Sequence, residues 1–450
     1  MNNLSSKNKH NNICVHFIGV LGSSMSKLAK YTKKLGYSVS GSDVANNQTV
    51  KELENLGITV RIGHKESNVN NANVVVYSSA ISNNNCELIY ARKTKGVKVF
   101  SRGEYLAIIA HAFKNLLAIS GSHGKSTTTA MVASILRETS LRPFIHTGGE
   151  VEEEQNAEIS GDLIVLEACE YMANFLQLTP DISVITNVEL DHTDYYKSEE
   201  ELNFAFLKFA RQTKRKVICD YNTYKKIKNK VKRILTVGDD NCDVKAQNLT
   251  NLGDYYKYEF WYKGVNFGEI QVNSPFIFNV KNSLFAVLAC LELGVSFSDC
   301  QKGICKFKGV KRRQEVIKNG TPIYILDYAH HPTQIKNVWQ SLKYKKTLAI
   351  FQSHTYTRTR DFLKEFASVL QNFDHVVIMP TYSAREEFDD SGSGKTLYTE
   401  INMENKHYAK NKEEVFQILN ILQKEVETVI FLGAGDIDLL AREYCNIEIS

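Results

Sequence analysis

The chain has 450 residues, of which 43% are hydrophobic and 23% charged, and its formal net charge at pH 7 is +5. This composition excludes a disordered or fibrous chain, and the charge excess is too small to indicate a nucleic-acid-binding protein. The length predicts about three domains, each large enough for its own hydrophobic core.

The nine cysteines indicate a reducing compartment. None forms a C-x-x-C motif or lies at metal-ligand spacing from a histidine, so we interpret them as reduced thiols of a cytosolic protein. No apolar run approaches the ~18 residues of a membrane span, and residues 1–12 lack the apolar stretch of a secretory signal. We therefore expect a cytoplasmic protein with neither a membrane nor a nucleic acid among its partners.

The N-terminal region predicts a nucleotide-binding βαβ unit. Residues 14–18 form an apolar strand, residues 19–24 turn into an amphipathic helix, and Gly36 suits the helix C-cap. A second strand ends at Asp43, whose carboxylate is placed to meet a ribose or a base.

The glycine fingerprint of this unit is incomplete, because Leu21 and Ser24 occupy positions where the dinucleotide pattern has glycine. A generic βαβ packing unit therefore stays an equal alternative. A further strand over residues 73–77 is followed by Ser78 and Ser79, at the strand end where doubly wound sheets bind ligands.

The strongest motif is the stretch Gly121-Ser-His-Gly-Lys-Ser-Thr-Thr128. It lies between an apolar strand and a helix, so its backbone N–H groups and the helix dipole would face an anion. Only two residues separate its glycines, where the general phosphate-loop pattern has four. We predict a nucleoside triphosphate site, the alternative being a glycine-rich turn with a solvated Lys125.

Acidic and polar residues follow the next two strands. Glu167 and Glu170 come after the strand over residues 162–166, a standard arrangement for holding magnesium, although a structural acid is the alternative, more so for Glu167. His192 follows the strand over residues 182–186. Its possible roles are a metal ligand, a general base, or a polar residue whose hydrogen bonds are satisfied.

A later helix begins with Asn279 and Asn282, which lie about one turn apart. The two side chains are spaced to form hydrogen bonds with the edge of an adenine, although N-capping of the helix explains one of them equally well. The preceding residues 222–263 are rich in Lys, Asn and Tyr and give no functional signal, with a short strand at 235–238.

A third set of α/β signals begins after the basic residues 311–313. Strands are predicted at residues 322–326, 347–351, 375–379 and 428–432, and helices at residues 361–370 and 412–422. The loops at residues 327–332, 352–360 and 433–436 hold reactive side chains at strand ends. Arg358 and Arg360 would present two guanidinium groups to phosphates or carboxylates, or form a solvated pair. Zinc binding by His330 and His331 is not favoured, since no third ligand lies nearby.

In chain order these motifs resemble the Mur ligase family of peptidoglycan precursor synthesis, over nearly the whole chain. The phosphate loop is similar to the family's Gly-Thr-His-Gly-Lys-Thr, and residues 327–332 and 354–360 resemble the member that adds L-alanine. The resemblance implies an α/β fold of three domains, each with a mostly parallel sheet. These are a Rossmann-like UDP-substrate-binding domain (residues 1–105), a P-loop ATPase-like central domain (106–311) and a Rossmann-like C-terminal domain (312–450).

The reaction implied by the resemblance is amide formation. ATP would phosphorylate the lactyl carboxylate of UDP-N-acetylmuramate, and the amine of L-alanine would attack the acyl phosphate. The implied cofactors are ATP and Mg²⁺, the partners are these small molecules, and the expected state is a monomer or weak dimer.

The resemblance also implies roles for individual residues. The implied catalytic residues are Lys125, Glu170, His192 and Arg313. The nucleotide is bound by Gly121, Ser122, His123, Gly124, Lys125, Ser126, Thr127, Asn279, Asn282, Arg313 and Asp327. Metal ligands are Ser126, Glu170 and His192. The residues implied to bind the other substrates, UDP-N-acetylmuramate and L-alanine, are Gly19, Gly22, Ser23, Asp43, Ser78, Ser79, Tyr328, His354 and Arg358.

The chain departs from the family pattern at Leu21, Ser24, Phe278 and Leu326. If the backbone at Leu21 or Ser24 needs a positive φ, a side chain there costs on the order of 1–2 kcal/mol and weakens UDP binding. Three alternatives follow: a related ligase with a peptide acceptor or another sugar nucleotide, a non-catalytic nucleotide-binding paralogue, and a general phosphate-loop ATPase.

Overall fold

A computed structural model of the chain describes residues 13–78, 80–147, 162–190, 195–253, 255–384 and 386–446. Within these residues the chain forms three mostly parallel sheets, of five, nine and six strands, each flanked by helices. The three-domain α/β architecture is therefore confirmed, while the boundaries at residues 105 and 311 stay predictions.

The first sheet is entirely parallel, in the order β3-β2-β1-β4-β5. Its strands are β1 (Cys14–Ile18), β2 (Ser38–Asp43), β3 (Thr59–Ile62), β4 (Val74–Tyr77) and β5 (Lys98–Ser101). Its helices are α1 (Ser23–Lys34), α2 (Gln48–Asn55), α3 (Cys86–Lys93) and α4 (Arg102–Ala110). Strand order reverses between β1 and β4, and such a reversal opens a ligand crevice at the carboxyl ends of the strands.

The central sheet has the order β14-β13-β12-β11-β10-β9-β6-β8-β7. Its strands are β6 (Asn115–Ser120), β7 (Phe144–His146), β8 (Leu163–Glu167), β9 (Ile182–Ile185), β10 (Lys216–Asp220), β11 (Ile234–Gly238), β12 (Val244–Asn251), β13 (Tyr256–Tyr262) and β14 (Val265–Val272). Its helices are α5 (Lys125–Arg137), α6 (Glu199–Gln212), α7 (Tyr221–Ile227), α8 (Phe278–Glu292) and α9 (Phe297–Lys306). The strands β12, β13 and β14 form an antiparallel extension of an otherwise parallel sheet.

The third sheet has the order β15-β16-β20-β17-β18-β19, and only the β15–β16 pairing is antiparallel. Its strands are β15 (Glu315–Lys318), β16 (Ile323–Asp327), β17 (Thr347–Phe351), β18 (His375–Ile378), β19 (Lys406–Tyr408) and β20 (Thr428–Leu432). Its helices are α10 (Pro332–Leu342), α11 (Tyr356–Asp361), α12 (Leu363–Leu370), α13 (Gly394–Glu400), α14 (Lys412–Leu422) and α15 (Ile437–Tyr444).

Most predicted elements are confirmed, and helix ends follow their capping chemistry. Gly36 has φ +90° just beyond α1, as expected of a C-cap glycine. The predicted helix at residues 361–370 is wrong in extent, because α11 already begins at Tyr356 and a break at Phe362 separates it from α12. Residues 222–263, which gave no clear signal, form α7 and the strands β11 to β13.

The first and central domains share one hydrophobic cluster. The ring of Tyr31 in α1 stacks on Phe144 in β7 with centroids 4.0 Å apart, and Phe113 stacks on both. This aromatic stack fixes the first domain against the edge of the central sheet. None of the described helices is long and apolar enough to cross a membrane.

Candidate active site

The phosphate loop connects β6 to α5 and depends on two glycines. Gly121 has φ +133°, and a Cβ there would lie 2.1 Å from Thr186 Oγ1. Gly124 has φ +84°, and a Cβ there would lie 2.7 Å from Asn282 Oδ1. Both positions therefore exclude side chains, and the loop forms a cradle at the start of α5, where the helix dipole suits an anion. The N–H groups of Ser122 and His123 donate to Asn187 and hold the loop in place.

Lys125 lies at the centre of this cradle and is paired with acid. Its Nζ is 2.9 Å from Glu170 Oε1 and 3.2 Å from the Ser122 carbonyl. Burial by itself lowers the pKa of Lys125, but Glu170, Cys169 and Glu167 outweigh burial and raise that pKa above its usual value. The ammonium is therefore held charged where a phosphate would lie.

Glu167 also lies at this site. The sequence had left open whether Glu167 is a magnesium ligand or a structural acid. The β6–β8 register pairs it with Ile119, and its Oε1 accepts a hydrogen bond of 3.0 Å from Ser126 Oγ. One hydroxyl and two carboxylates, from Ser126, Glu167 and Glu170, thus lie beside the loop. This oxygen-rich donor set fits Mg²⁺, which takes one or two carboxylates and completes its shell with water and substrate phosphates.

Two predicted residues cannot be placed, because His192 and Ser79 lie outside the described residues. Within the part of the chain that the structure describes, no group of three or more His, Cys, Asp or Glu side chains is arranged to hold a metal ion. The roles predicted for His192 and Ser79 stay predictions.

Asn279 and Asn282 lie near the loop on buried positions of α8. Asn282 Nδ2 donates to Asn279 Oδ1 at 3.0 Å, and Asn279 Nδ2 donates to Ser274 Oγ at 2.8 Å. The capping alternative is wrong, since Ile277 is the N-cap of α8 and no side chain caps the helix. The pair is thus held as a polar unit against the phosphate loop. Phe278 stacks on Phe276, with centroids 5.7 Å apart.

Asp327 lies buried at the end of β16 and holds the interdomain linker. Its carboxylate accepts from the backbone N–H groups of Gln314 at 2.9 Å and Ala329 at 2.6 Å. Burial raises the pKa of Asp327, while Arg313 and these hydrogen bonds oppose the rise. The Arg313 guanidinium lies 4.7 Å from the centroid of the Tyr328 ring. Leu326, the neighbouring departure from the family pattern, is a fully buried strand residue.

A hydrogen bond crosses from the phosphate loop to the third domain. Gln334 Nε2, in the first turn of α10, lies 3.0 Å from His123 Nδ1, and Gln334 Oε1 accepts from the backbone N–H of His330 at 2.9 Å. His123 Nε2 faces Glu189 Oε2 at 3.5 Å, and the pKa of that carboxyl is lowered, chiefly by His123. No sequence pattern indicated Gln334, because a glutamine in a first helical turn has many structural roles.

His354 and Arg358 lie together, and the structure separates them from Arg360. The His354 ring stacks on Tyr382 with centroids 5.6 Å apart, and Arg358 Nη1 lies 3.4 Å from the His354 carbonyl. Burial first, and then Arg358, lower the pKa of His354 to about 4. Arg360 is exposed and pairs with Asp389 at 2.9 Å, so the two arginines do not form a fork.

The glycine loop of the first domain is held by Asp43, whose Oδ2 accepts from the Leu21 backbone N–H at 2.9 Å. Gly19 has φ +81° and a Cβ there would lie 3.2 Å from Ser78 Cβ, while Gly22 and Ser23 are exposed at the start of α1.

The departures in that loop carry no backbone strain. Leu21 does not have a positive φ, and Ser24 is an ordinary helical residue whose Oγ lies 2.9 Å from His146 Nε2 of the central domain. The cost considered for side chains at these two positions is therefore absent.

A buried carboxylate beneath this loop was not predicted. Glu87 of α3 is fully buried and accepts hydrogen bonds from Ser42 Oγ at 2.5 Å and His64 Nδ1 at 3.0 Å. Although burial raises the pKa of Glu87, the nearby His16 ring and the hydrogen bonds from Ser42 and Asn68 outweigh burial and lower it to about 2. Because Ser42 precedes Asp43, this cluster fixes the end of β2.

Three family models match successive parts of the chain, in agreement with its three sheets. The model for the Mur ligase family, catalytic domain, matches residues 14–114, that for the Mur ligase middle domain matches 119–290, and that for the Mur ligase, glutamate ligase domain, matches 312–435. The chain is 37% identical over 444 residues to a UDP-N-acetylmuramate–L-alanine ligase of Hydrogenobaculum sp., covering 96% of this chain and 98% of that protein. It is 34% identical over 439 residues to the enzyme of that name from Clostridium acetobutylicum, with 94% and 95% covered.

Solved structures agree with these sequence relatives. The UDP-N-acetylmuramate-alanine ligase of Thermotoga maritima superposes with a TM-score of 0.82 at 26% identity, covering 96% of this chain and 98% of that one. A murein peptide ligase from Psychrobacter arcticus superposes with a TM-score of 0.70 at 20% identity, covering 96% and 98%, and shares the fold.

Proposed function

This chain belongs to the Mur ligase family, and we propose that it is an ATP-dependent ligase that joins L-alanine to the lactyl carboxylate of UDP-N-acetylmuramate. The observation that carries the proposal is the direct contact between His123 of the phosphate loop and Gln334 of the third domain. Through this contact the nucleotide cradle and the loop before α10 face each other, as a reaction between a phosphorylated carboxylate and an amine requires.

The central domain supplies charge stabilisation. Bound ATP would supply the phosphoryl group that activates the carboxylate. Lys125 would neutralise charge on the transferring phosphoryl, and Gly121, Ser122, Gly124 and Thr127 of the cradle would orient it.

Residues around the cradle would bind the magnesium ion and the adenine base. Ser126 and Glu170 would hold Mg²⁺, and we add Glu167 to this set because Ser126 already donates to it. Asn279 and Asn282 would meet the adenine. His192 is proposed for a second metal or the acyl phosphate.

The third domain would bind the amino acid and close over the nucleotide. Tyr328, His354 and Arg358 are proposed for the L-alanine pocket, in which the guanidinium of Arg358 would pair with the carboxylate of the amino acid. Arg313 and Asp327, at the linker, would contact the nucleotide.

The first domain would bind the UDP moiety. Gly19, Gly22, Ser23, Asp43, Ser78 and Ser79 are the proposed contacts. The cytoplasm is the proposed location and a monomer or weak dimer the proposed state, which light scattering of the purified chain would check.

The proposal is tested by ADP release in the presence of ATP, Mg²⁺ and UDP-N-acetylmuramate, with L-alanine, glycine, L-serine or a tripeptide supplied in turn. We expect turnover to depend on L-alanine and to be lost in Lys125→Ala. The absence of amino-acid-dependent turnover above that variant would contradict a ligase. Preference for the tripeptide would favour a peptide acceptor, which the curated relatives described above do not support.

A further inference from the structure

A groove of about 340 Å³ lies on the central domain, away from the candidate active site. Seven cationic side chains line it: Arg211, Lys214, Arg215, Lys216, Lys230, Lys232 and Arg233. We call it the basic groove. Among the described residues that line it, none is acidic or aromatic.

The basic groove lies at the amino ends of the strands of the central sheet, whereas the phosphate loop lies at their carboxyl ends. It is formed where β10 and β11 begin, whereas the loop follows the end of β6, where Ser120 pairs with Ile185 at the end of β9. Strands of four or five residues separate the two ends by on the order of 15 Å. A ligand in the basic groove therefore does not reach the phosphate loop.

The groove is formed by a strongly basic segment of the chain. Residues 208–233 contain eleven Lys and Arg, seven of which line the groove, and one acidic residue, Asp220, so the other 424 residues carry a formal charge of −5 although the whole chain carries +5. Asp220 is buried and caps α7, and it faces Lys281 at 3.5 Å. It therefore does not neutralise the groove.

These cations have few internal partners. Among the described residues, the only carboxylate within ion-pair distance of a groove cation is Asp181, whose Oδ1 lies 3.8 Å from Lys214 Nζ. Arg211 and Arg215 instead donate weakly to the Lys230 and Glu292 carbonyls, at 3.4 Å each. Crowded like charges destabilise a folded chain, and a bound anion removes that repulsion.

We propose that the basic groove binds a phosphate-rich oligoanion, such as an inorganic or nucleoside oligophosphate. Several cations around one cavity suit a ligand with several adjacent charges, and Arg and Lys are the side chains that bind phosphate oxygens. The lack of an aromatic lining gives no platform for stacking a nucleobase, so single-stranded nucleic acid is less suited. The cavity is concave, with Lys216 half-buried in it, so a flat lipid surface is less suited too.

The test is calorimetric titration of inorganic tripolyphosphate into the full chain, with the nucleotide site first saturated by Mg²⁺ and a non-hydrolysable ATP analogue. We expect one further saturable binding event, weakened roughly tenfold when the salt concentration rises from about 0.05 to 0.2 M. The triple variant Lys214→Glu/Lys230→Glu/Lys232→Glu should lose it. So should the charge-neutral Lys214→Gln/Lys230→Gln/Lys232→Gln, which guards against misfolding of the first variant.

The matched control is Lys343→Glu/Lys345→Glu/Lys346→Glu, which reverses three exposed lysines of the third domain and should leave tripolyphosphate binding unchanged. Ligase turnover, measured separately, should be the same in all three variants and confirms that they fold. The proposal is overturned if no further event is seen or if both groove variants bind tripolyphosphate like the unchanged chain. It is also overturned if phosphatidylglycerol vesicles or a thymidine oligonucleotide bind through the groove while tripolyphosphate does not.

Discussion

Gln334 Nε2 lies 3.0 Å from His123 Nδ1 and joins the helix α10 to the phosphate loop. The orientation of the amide is set by His330, whose backbone N–H requires Gln334 Oε1 as its acceptor. In this orientation Gln334 Nε2 points at His123 Nδ1, and His123 Nε2 faces Glu189 Oε2 at 3.5 Å. One side chain thus couples the nucleotide cradle to the loop proposed to bind the amino acid.

Replacing Gln334 should uncouple these two loops. We expect Gln334→Ala to lower kcat roughly 5- to 10-fold, because a hydrogen bond worth about 1 kcal/mol between α10 and the phosphate loop is lost. Binding of an ATP analogue should change by less than about twofold, since the cradle itself is intact. Steady-state kinetics and calorimetry measure both, with Gln340→Ala, an exposed residue of the same helix, as control. An unchanged kcat would show that the contact has no part in turnover.

Glu167 and Glu170 should differ in their dependence on magnesium. We expect Glu167→Gln to raise the Mg²⁺ concentration for half-maximal turnover roughly tenfold, because it removes a charge beside Ser126. Glu170→Gln should lower kcat even at saturating Mg²⁺, because Glu170 also holds Lys125. Magnesium titrations of ADP release test this, with the exposed Glu200→Gln as control. Equal Mg²⁺ curves for Glu167→Gln and the unchanged chain would exclude Glu167 from the metal site.

Leu21→Gly should not tighten binding of the UDP substrate. Leu21 has no positive φ to relieve and packs against the shared hydrophobic cluster, so glycine would remove packing and add backbone freedom. We expect a loss of about 1–2 kcal/mol of stability and equal or weaker affinity for UDP-N-acetylmuramate. Thermal unfolding and calorimetry measure these, and Leu21→Ala separates lost packing from added flexibility. Tighter binding by the glycine variant would restore the idea of an impaired loop.

His354 should make the third domain sensitive to acid. Its pKa is lowered to about 4 in the fold, by burial and then by Arg358, against 6.5 for a free histidine. The unfolded chain therefore takes up a proton below pH 6.5 that the folded chain refuses until about pH 4, so stability falls as the pH drops through this window. We expect a loss of about 1–3 kcal/mol.

Hydrogen exchange of the β17 and β18 amides between pH 7 and 4 measures this local stability. The variant His354→Asn lacks the titrating ring and should show a flatter pH dependence. Parallel curves for the variant and the unchanged chain would mean that His354 does not cause the loss.

Patterns local in sequence were sufficient to predict most strands and helices. The phosphate loop was predicted because two glycines, a lysine and hydroxyl residues stand between an apolar strand and a helix. The break at Phe362 was missed. The antiparallel strands β12 to β14 were missed although each pairs with its neighbour in the chain, because this stretch is rich in polar residues and lacks a clear alternation of apolar and polar side chains. The capping interpretation of the Asn279 pair was wrong because the helix begins one residue earlier.

The sequence by itself determined the α/β class, the cradle around Lys125 and the residues at the strand ends, since each follows from neighbours in the chain. The tertiary structure alone decided which of these side chains meet. It brought Glu167 to Ser126 and Gln334 to His123, and turned Arg360 away from Arg358. It also placed the cations that precede β10 and those that precede β11 around one groove. The physical reason is that hydrogen bonds and ion pairs act over a few ångströms, and only the pairing of strands and the packing of domains bring residues such as Ser126 and Glu167, or His123 and Gln334, within that range.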